Sequence, residues 1–332
     1  MLGLVDERVH SSPPSHGGPV NPAGGRVAVI GLGAVGAVAA NRLVSRGVRR
    51  IVLVDRDLVE PQNLERPSLY GKNDIGDPKA VAAQARLLAL DPEVHIEARV
   101  RDVHAGTVLP LIKNADVVVD GTDNLATRYL LNEACIRRHI PFLYGGTAGT
   151  VGMASPLHPP ETPCFRCLLP PADRPESAVP CATGLAPVAA RVGGLLASHA
   201  LRFLRTGTTA PGLYVLRDGN PAVERLGISP RPGCPACKQR APEFLRRQGG
   251  PTVVQLCGGD TVSVDPGVRE EVALEQLATR LAHVARVRLT PYLVSLEIPP
   301  YGLSIFPDGR ALVRGVRSPE AAQALYRRYV SG

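Results

Sequence analysis

The chain has 332 residues, which is enough for one large domain or two ordinary ones. Apolar residues make up 44% and charged residues 20%, a balance that supports a buried core and excludes global disorder. Aromatic residues make up only 4% and tryptophan is absent, so we expect no nucleic-acid partner that binds by base stacking. The net charge of +8 comes mostly from arginine and suits an anionic ligand or an acidic partner, although composition alone can produce it.

Residues 1–24 are rich in Pro, Gly and Ser and lack the apolar segment of a secretory signal, so we predict a flexible tail. No run of 18 apolar residues occurs, and we therefore predict no membrane span. Four of the seven cysteines form two C-x-x-C pairs, which indicates metal or thiol chemistry rather than a disulfide framework. Together these features predict a cytoplasmic protein.

Short apolar strands alternate with helices from residue 26 to residue 145. The predicted strands cover 26–31, 51–54, 94–100, 116–119 and 141–145. The predicted helices cover 34–46, 78–90, 105–113 and 124–138. This alternation is typical of an α/β fold with a doubly wound, mostly parallel, Rossmann-like sheet that helices cover on both faces.

The pattern changes after Gly149, where the sheet is expected to continue into an antiparallel part. The predicted elements there are a strand at 150–155, a Pro-rich irregular segment at 156–183, a helix at 185–204 and a hairpin of 213–217 with 222–228. A small α+β domain follows, with strands near 252–256, 261–264, 286–298, 301–306 and 310–315 and helices near 272–283 and from Pro319. We therefore predict a tail at 1–24 and domains at 25–242 and 251–332.

A glycine-rich turn lies between the first strand and the first helix. Gly31, Gly33 and Gly36 form the pattern G-x-G-x-x-G, which allows a phosphate to approach a helix N-terminus. Asp55 ends the next strand, where its carboxylate can accept hydrogen bonds from ribose hydroxyls. This pair predicts a nucleotide site without saying which nucleotide. The alternative is a glycine turn required only for helix–sheet packing.

Three further charged residues narrow the choice of nucleotide. Arg66, Lys79 and Asp123 lie in segments predicted at the carboxyl edge of the sheet, where open α/β sheets bind ligands. Two cations and a second carboxylate exceed what a nicotinamide site needs, and they suit ATP with Mg²⁺. The alternative for Asp123 is an acidic residue that stabilises a helix N-terminus.

The two C-x-x-C pairs are Cys164 with Cys167 and Cys234 with Cys237. Four thiolates suit a closed tetrahedral Zn²⁺ site, which would tie together two distant segments of the chain. A pair of redox dithiols is the alternative, although no thioredoxin-like context surrounds either pair.

The order and spacing of these motifs resemble the ThiF/MoeB/HesA family, the prokaryotic relatives of ubiquitin-activating enzymes. The resemblance covers about residues 25–240 and includes G-L-G-A-V-G, L-V-D-R-D, N-L-E-R, D-I-G-D-P-K and D-G-T-D-N. It implies a homodimeric adenylyltransferase that uses ATP to activate the C-terminal glycine of a ubiquitin-like sulfur-carrier protein ending in Gly-Gly. The zinc site is structural in that family.

The resemblance also implies residue roles. Asp55 and Asn63 are expected on the ribose side of ATP, Arg66 and Lys79 on its phosphates, and Asp123 on Mg²⁺. Cys181 lies where some family members carry a cysteine that bonds covalently to the carrier and others carry a dispensable one. The implied nucleotide-binding set is Gly31, Gly33, Gly36, Asp55, Asp57, Asn63, Arg66, Lys79, Asp123 and Asn124, and the implied catalytic set is Asp123, Arg66, Lys79 and Cys181.

The sequence departs from the family pattern in three places. The N-terminal arginine segment is missing, since Arg8 has no similar context. Glu65 and Pro67 replace the usual residues beside Arg66. The unit at 251–332 is additional, and we expect it to dock the carrier, to support the dimer, or to act only as a stabiliser.

Two other functions stay open from the sequence. One is adenylation of a peptide or small carboxylate in a biosynthetic pathway. The other is a non-catalytic ThiF-like binding partner, which the missing N-terminal arginine favours.

Overall fold

The computed structural model describes residues 23–64, 69–171, 184–247, 252–255, 260–267 and 272–331. The strands of the first sheet are β1 (Arg26–Ile30), β2 (Arg50–Asp55), β3 (His95–Val100), β4 (Val117–Asp120), β5 (Phe142–Ala148), β6 (Val151–Leu157), β7 (Leu213–Arg217) and β8 (Asn220–Leu226). The helices that accompany it are α1 (Ala34–Ser45), α2 (Lys79–Leu90), α3 (Val108–Leu111), α4 (Leu125–Arg138), α5 (Phe165–Leu168) and α6 (Ala186–Thr206).

The first sheet has the strand order β3-β2-β1-β4-β5-β6-β7-β8. Strands β3, β2, β1, β4 and β5 pair in parallel, and β5 to β8 pair antiparallel. The chain returns from β3 to pair β4 with the other side of β1, so the strand order switches direction between β1 and β4. Ligands of open α/β sheets bind at such a switch point. The predicted fold class is confirmed.

Successive residues of β1, β2, β4 and β5 face two different cores. Val27 and Val29 of β1 pack with α1, α2 and α6, whereas Ala28 and Ile30 pack with α4 and with Phe165. These four strands are therefore buried on both faces, which explains their continuous apolar runs, whereas the edge strand β3 alternates between buried and more exposed residues. No helix in the described part of the chain is long and apolar enough to cross a membrane.

A second sheet follows in the chain and is entirely antiparallel in its described residues. Its strands are β9 (Thr252–Gln255), β10 (Thr261–Asp265), β11 (Arg286–Leu289), β12 (Val294–Ile298), β13 (Tyr301–Ile305) and β14 (Ala311–Arg314), in the order β11-β12-β13-β14-β10-β9. Helices α7 (Leu274–Leu281) and α8 (Pro319–Tyr329) supply its core with apolar residues. We call this α+β part of the chain the C-terminal unit; its boundaries as a domain stay a prediction.

Several predicted elements differ from the structure, and the segment predicted to be irregular at 156–183 contains helix α5. The single strand predicted at 286–298 is two strands, because the Thr290 hydroxyl donates to the Leu293 carbonyl oxygen at 3.0 Å and closes a turn between them. Side-chain hydrogen bonds of this kind compete with the strand ladder. The helix predicted at 105–113 is confined to the four residues of α3.

Helix α1, which follows the glycine turn, packs closely against α6. A Cβ atom built on Gly193 would lie 2.5 Å from the Val35 carbonyl oxygen and 2.9 Å from Val38 Cβ, whereas one on Gly194 meets no atom within 4 Å. Gly193 therefore sets the distance between the two helices, and Gly194 does not.

The two neighbouring glycines give a matched test of this packing. Gly194→Ala should stabilise the protein by up to about 1 kcal/mol, because alanine favours the helix. Gly193→Ala gains the same propensity but pushes α1 away, and we expect a net loss of about 2 kcal/mol from overpacking. Thermal denaturation of both variants measures the difference, and equal melting temperatures would contradict the packing role.

Candidate functional site

The glycine turn after β1 touches the loop after β4 through the backbone. Gly31 has φ of +84°, and its N–H donates to the Val54 carbonyl oxygen at 2.8 Å. A Cβ atom on Gly36 would lie 1.9 Å from the Gly31 carbonyl oxygen, and one on Gly121 would lie 2.3 Å from the same oxygen. Only glycine fits at these positions, because any side chain would separate the ends of β1 and β4.

Gly33 lies at the start of α1, as the sequence predicts. It is the N-cap residue, and its carbonyl oxygen accepts from the Ala37 N–H at 2.9 Å. The first turn of α1 contains no acidic residue. The N–H groups of this turn and the helix dipole therefore favour an anion at the switch point.

Asp55 ends β2 and connects it to the glycine turn. Its Oδ2 accepts from the Leu32 N–H at 2.6 Å, and its Oδ1 accepts from the Asp57 N–H at 2.8 Å. Burial raises the pKa of Asp55, and the charge of Lys79 offsets part of that effect. Each oxygen keeps a second lone pair, so the carboxylate retains the capacity to accept from ribose hydroxyls.

Lys79 and Asp57 form an ion pair beside Asp55. Lys79 Nζ lies 3.2 Å from Asp57 Oδ2, and the Lys79 side chain is only 12% exposed. Burial would lower the pKa of Lys79, but Asp57 and Asp55 outweigh it and the pKa is raised. Burial would raise the pKa of Asp57, but Lys79 and Arg56 outweigh it and the pKa is lowered. Both side chains therefore stay charged at the edge of the sheet.

Of the other predicted site residues on these loops, the structure describes Asn63. The Asn63 Oδ1 atom accepts from the Glu60 N–H at 2.8 Å and so holds the loop after β2. Arg66 and Cys181 lie outside the described residues, and their roles stay predictions.

Asp123 and Asn124 follow β4, on the other side of the switch point. Asn124 caps α4, because its Oδ1 accepts from the Thr127 N–H at 2.8 Å. Asp123 is exposed, and it interacts electrostatically with Arg56 from the end of β2. Asp123 therefore lies at the same edge of the sheet as the Asp57–Lys79 pair.

Sequence reasoning missed a buried ion pair beneath this loop. Arg128 Nε lies 3.1 Å from Oδ2 of the fully buried Asp120, whose Oδ1 accepts from the Thr122 N–H and hydroxyl. Arg128 also donates to the Gly145 carbonyl oxygen of β5 at 3.1 Å. Burial raises the pKa of Asp120, against the charge of Arg128 and the hydrogen bonds from Thr122. The D-G-T-D-N-x-x-T-R spacing was the available signal, since it contains both partners.

The four cysteines of the C-x-x-C pairs meet in space. Their Sγ atoms all lie within 4.8 Å of one another, with Cys164 3.7 Å from Cys234 and Cys167 3.5 Å from Cys237. A tetrahedral ion with zinc–sulfur bonds of about 2.3 Å separates its sulfur ligands by roughly 3.8 Å. The thiol positions therefore fit a zinc ion. Cys135 lies apart from this cluster, buried in α4.

Two buried polar residues of α4 hold the segments around the cysteine cluster, and no sequence pattern pointed to them. The Asn132 Oδ1 atom accepts from the Phe165 N–H at 2.8 Å. The Glu133 carboxylate accepts from three consecutive backbone N–H groups, those of Glu243, Phe244 and Leu245, at 2.8–3.0 Å. These bonds attach the segments that carry or follow the cysteines to α4.

Comparison with known proteins finds similar proteins with related names. Residues 23–236 match the ThiF family. The chain is 32% identical over 325 residues to the sulfur carrier protein ThiS adenylyltransferase of Bacillus subtilis, a match that covers 94% of this chain and 96% of that protein. It is 37% identical over 216 residues to the SAMP-activating enzyme E1 of Haloferax volcanii, covering 64% of this chain and 80% of that protein.

A crystal structure of Escherichia coli MccB with ATP shares the fold, with a TM-score of 0.57 and 21% identity over 64% of this chain and 67% of that chain. The Bacillus subtilis match also includes most of the C-terminal unit, because it covers 94% of the chain. The family match covers 214 of 332 residues, from 23 to 236. The chain therefore belongs to the ThiF family.

Proposed function

We propose that this protein is an ATP-dependent adenylyltransferase that activates the C-terminal glycine of a ubiquitin-like sulfur-carrier protein. The observation that carries the proposal is the meeting of the glycine turn, Asp55 and the Asp57–Lys79 pair at the switch point between β1 and β4. The near full-length similarity to a ThiS adenylyltransferase supports the choice of substrate.

The reaction joins two anions. A carboxylate oxygen of the carrier's last glycine attacks the α-phosphorus of ATP, an acyl–phosphate bond forms, and the bond to pyrophosphate breaks. Lys79 supplies a fixed positive charge for the phosphates, together with Arg66. Asp55 orients the ribose, and the start of α1 accepts phosphate oxygens. Fixed charges in a cleft stabilise the transition state because they need no reorganisation during the reaction.

Asp123 is proposed to bind Mg²⁺ at this edge. One protein carboxylate, combined with phosphate oxygens and water, is a common Mg²⁺ environment. The exposed position of Asp123 at the end of β4 fits this donor set, since the buried Asp120 is already occupied by Arg128. A bound Mg²⁺ reduces the repulsion between the two reacting anions.

The remaining parts of the proposal concern structure and assembly. Cys164, Cys167, Cys234 and Cys237 are proposed to bind Zn²⁺, which would hold the segments after β6 and β8 together. A homodimer and a covalent role of Cys181 follow only from the family resemblance, and a cytoplasmic location stays a prediction from the sequence.

ATP–pyrophosphate exchange tests the proposed reaction. Exchange should require a carrier ending in Gly-Gly and should disappear with the same carrier lacking its last glycine. Exchange that occurs only with a small carboxylic acid would favour the alternative substrate class. If neither a carrier nor a small acid supports exchange, the result would favour a non-catalytic binding partner.

Asp123→Ala should lower carrier-dependent exchange by about 100-fold or more, the usual cost of losing one transition-state charge contact. Glu93→Ala is the matched control, because Glu93 is exposed on the loop before β3, at the opposite edge of the sheet. Exchange in Asp123→Ala within a few-fold of the wild-type rate would contradict the Mg²⁺ role.

Elemental analysis tests the zinc site. We expect one zinc per chain in the wild-type protein and in Cys135→Ala, whose thiol lies outside the cluster. The double variant Cys167→Ser/Cys237→Ser should lose the metal and melt at lower temperature, because thiolate ligation contributes to folding. Zinc retained in the double variant, or missing from the fresh wild-type protein, would contradict the site.

A further inference from the structure

Residues 57–59 and 76–79, which we call the paired segments, carry Asp57 and Lys79. The two segments run antiparallel to each other. The Lys79 N–H donates to the Asp57 carbonyl oxygen at 2.9 Å, and Lys79 Nζ lies 3.2 Å from Asp57 Oδ2. Backbone and side-chain contacts therefore fix these two residues relative to each other.

The paired segments are too short to be stable by themselves. Leu58 and Pro78 form an isolated bridge between them, outside both sheets. Pro78 has no N–H to donate, and even a complete two-stranded hairpin is only marginally stable in water. The paired segments therefore need apolar packing from elsewhere in the chain if Asp57 and Lys79 are to keep their positions.

The C-terminal unit supplies that packing through Leu58. Leu58 is only 6% exposed, and it belongs to a cluster whose other buried members, among the described residues, are Leu293, Phe306 and Leu312 of the unit. Val100 at the end of β3 packs against the same cluster. Leu58 is thus the apolar side chain that attaches the paired segments to the C-terminal unit.

Polar contacts join the same two surfaces. Arg310 of the unit is 1% exposed, and its Nη2 donates at 3.0 Å to the carbonyl oxygen of Arg56, the residue before the first paired segment. Arg288 lies 3.3 Å from Asp77 of the second paired segment. The side chains of this ion pair are both exposed, so we expect it to contribute little, and the attachment depends mainly on the buried contacts.

We propose that the C-terminal unit is a positioning element of the nucleotide site, in which Leu293 acts through Leu58 on Lys79. Contact with the unit holds the paired segments, and with them Lys79, at the edge where the phosphates of ATP would bind. The Lys79 ammonium has three N–H donors, so it can keep its bond to Asp57 while it donates to a phosphate. The proposal rests on the proposed function for the nucleotide and makes no use of the carrier.

The test compares two buried leucines of the unit. Leu293 shares its cluster with Leu58, whereas Leu296 of β12 is equally buried but lies in the core that the second sheet forms with α7 and α8. MgATP affinity is measured by calorimetry on the full chain without a carrier. Leu293→Ala should raise the dissociation constant about tenfold, because Lys79 loses its fixed position. Leu296→Ala should change it less than about twofold, since it is distant from the paired segments.

A double-mutant cycle separates positioning from general stability. In the Lys79→Met background the positioned charge is absent, so Leu293→Ala should raise the dissociation constant less than about twofold, because coupled residues are not additive. Leu293→Met keeps nearly the same volume and should restore wild-type affinity. If an alanine variant does not fold, the valine variants of both leucines replace the pair, with the same expected order.

Three outcomes would overturn the proposal. The first is wild-type affinity in Leu293→Ala. The second is an equal loss of affinity in Leu293→Ala and Leu296→Ala, which indicates a loss of stability only. The third is an equal effect of Leu293→Ala with and without the Lys79 ammonium.

Hydrogen exchange keeps this proposal distinct from the proposed function, because it needs no nucleotide. Backbone exchange in the paired segments should increase in Leu293→Ala and not in Leu296→Ala. Unchanged exchange in Leu293→Ala would contradict the positioning role. If exchange responds as expected but the wild-type protein binds no MgATP, the proposed function fails, and with it the nucleotide role of the unit, whereas the attachment of the paired segments is confirmed.

Discussion

The site depends on one close backbone contact, where the turn after β1 meets the loop after β4. The Gly31 carbonyl oxygen lies in the space that a Cβ atom of Gly36 or Gly121 would occupy. With side chains there, the two strand ends would separate and the start of α1 would lose its position over the switch point. The anion-binding capacity of the helix N-terminus thus follows from packing as much as from the helix dipole.

Charged groups at this edge lie close together, and most of them are already paired. Asp120 is paired with Arg128 and accepts a hydrogen bond from the Thr122 hydroxyl. The carboxylate exposed to a ligand on the β4 side is therefore that of Asp123. On the β2 side, the Asp57–Lys79 pair lies under the C-terminal unit.

The cysteine cluster joins the segments after β6 and β8 by a different means. Cys164 and Cys234 are 70 residues apart in sequence, yet their Sγ atoms lie 3.7 Å apart. Glu133 of α4 adds three hydrogen bonds to the segment that follows the second cysteine pair. The segments after β6 and β8, which contain little regular secondary structure beyond the single turn of α5, are thereby held to each other and to α4.

The α/β alternation, the glycine turn with Asp55 and the cysteine pairs can be predicted from the sequence, because each is a local pattern of spacing and residue type. Which charges are paired depends instead on how the elements pack. Three contacts of buried polar side chains form only in the folded chain. They are Asp120 with Arg128, Glu133 with the 243–245 backbone, and Arg310 with the Arg56 carbonyl oxygen. The last of these joins residues 254 positions apart, and no local pattern encodes such a contact, since it depends on how the second sheet packs against the first.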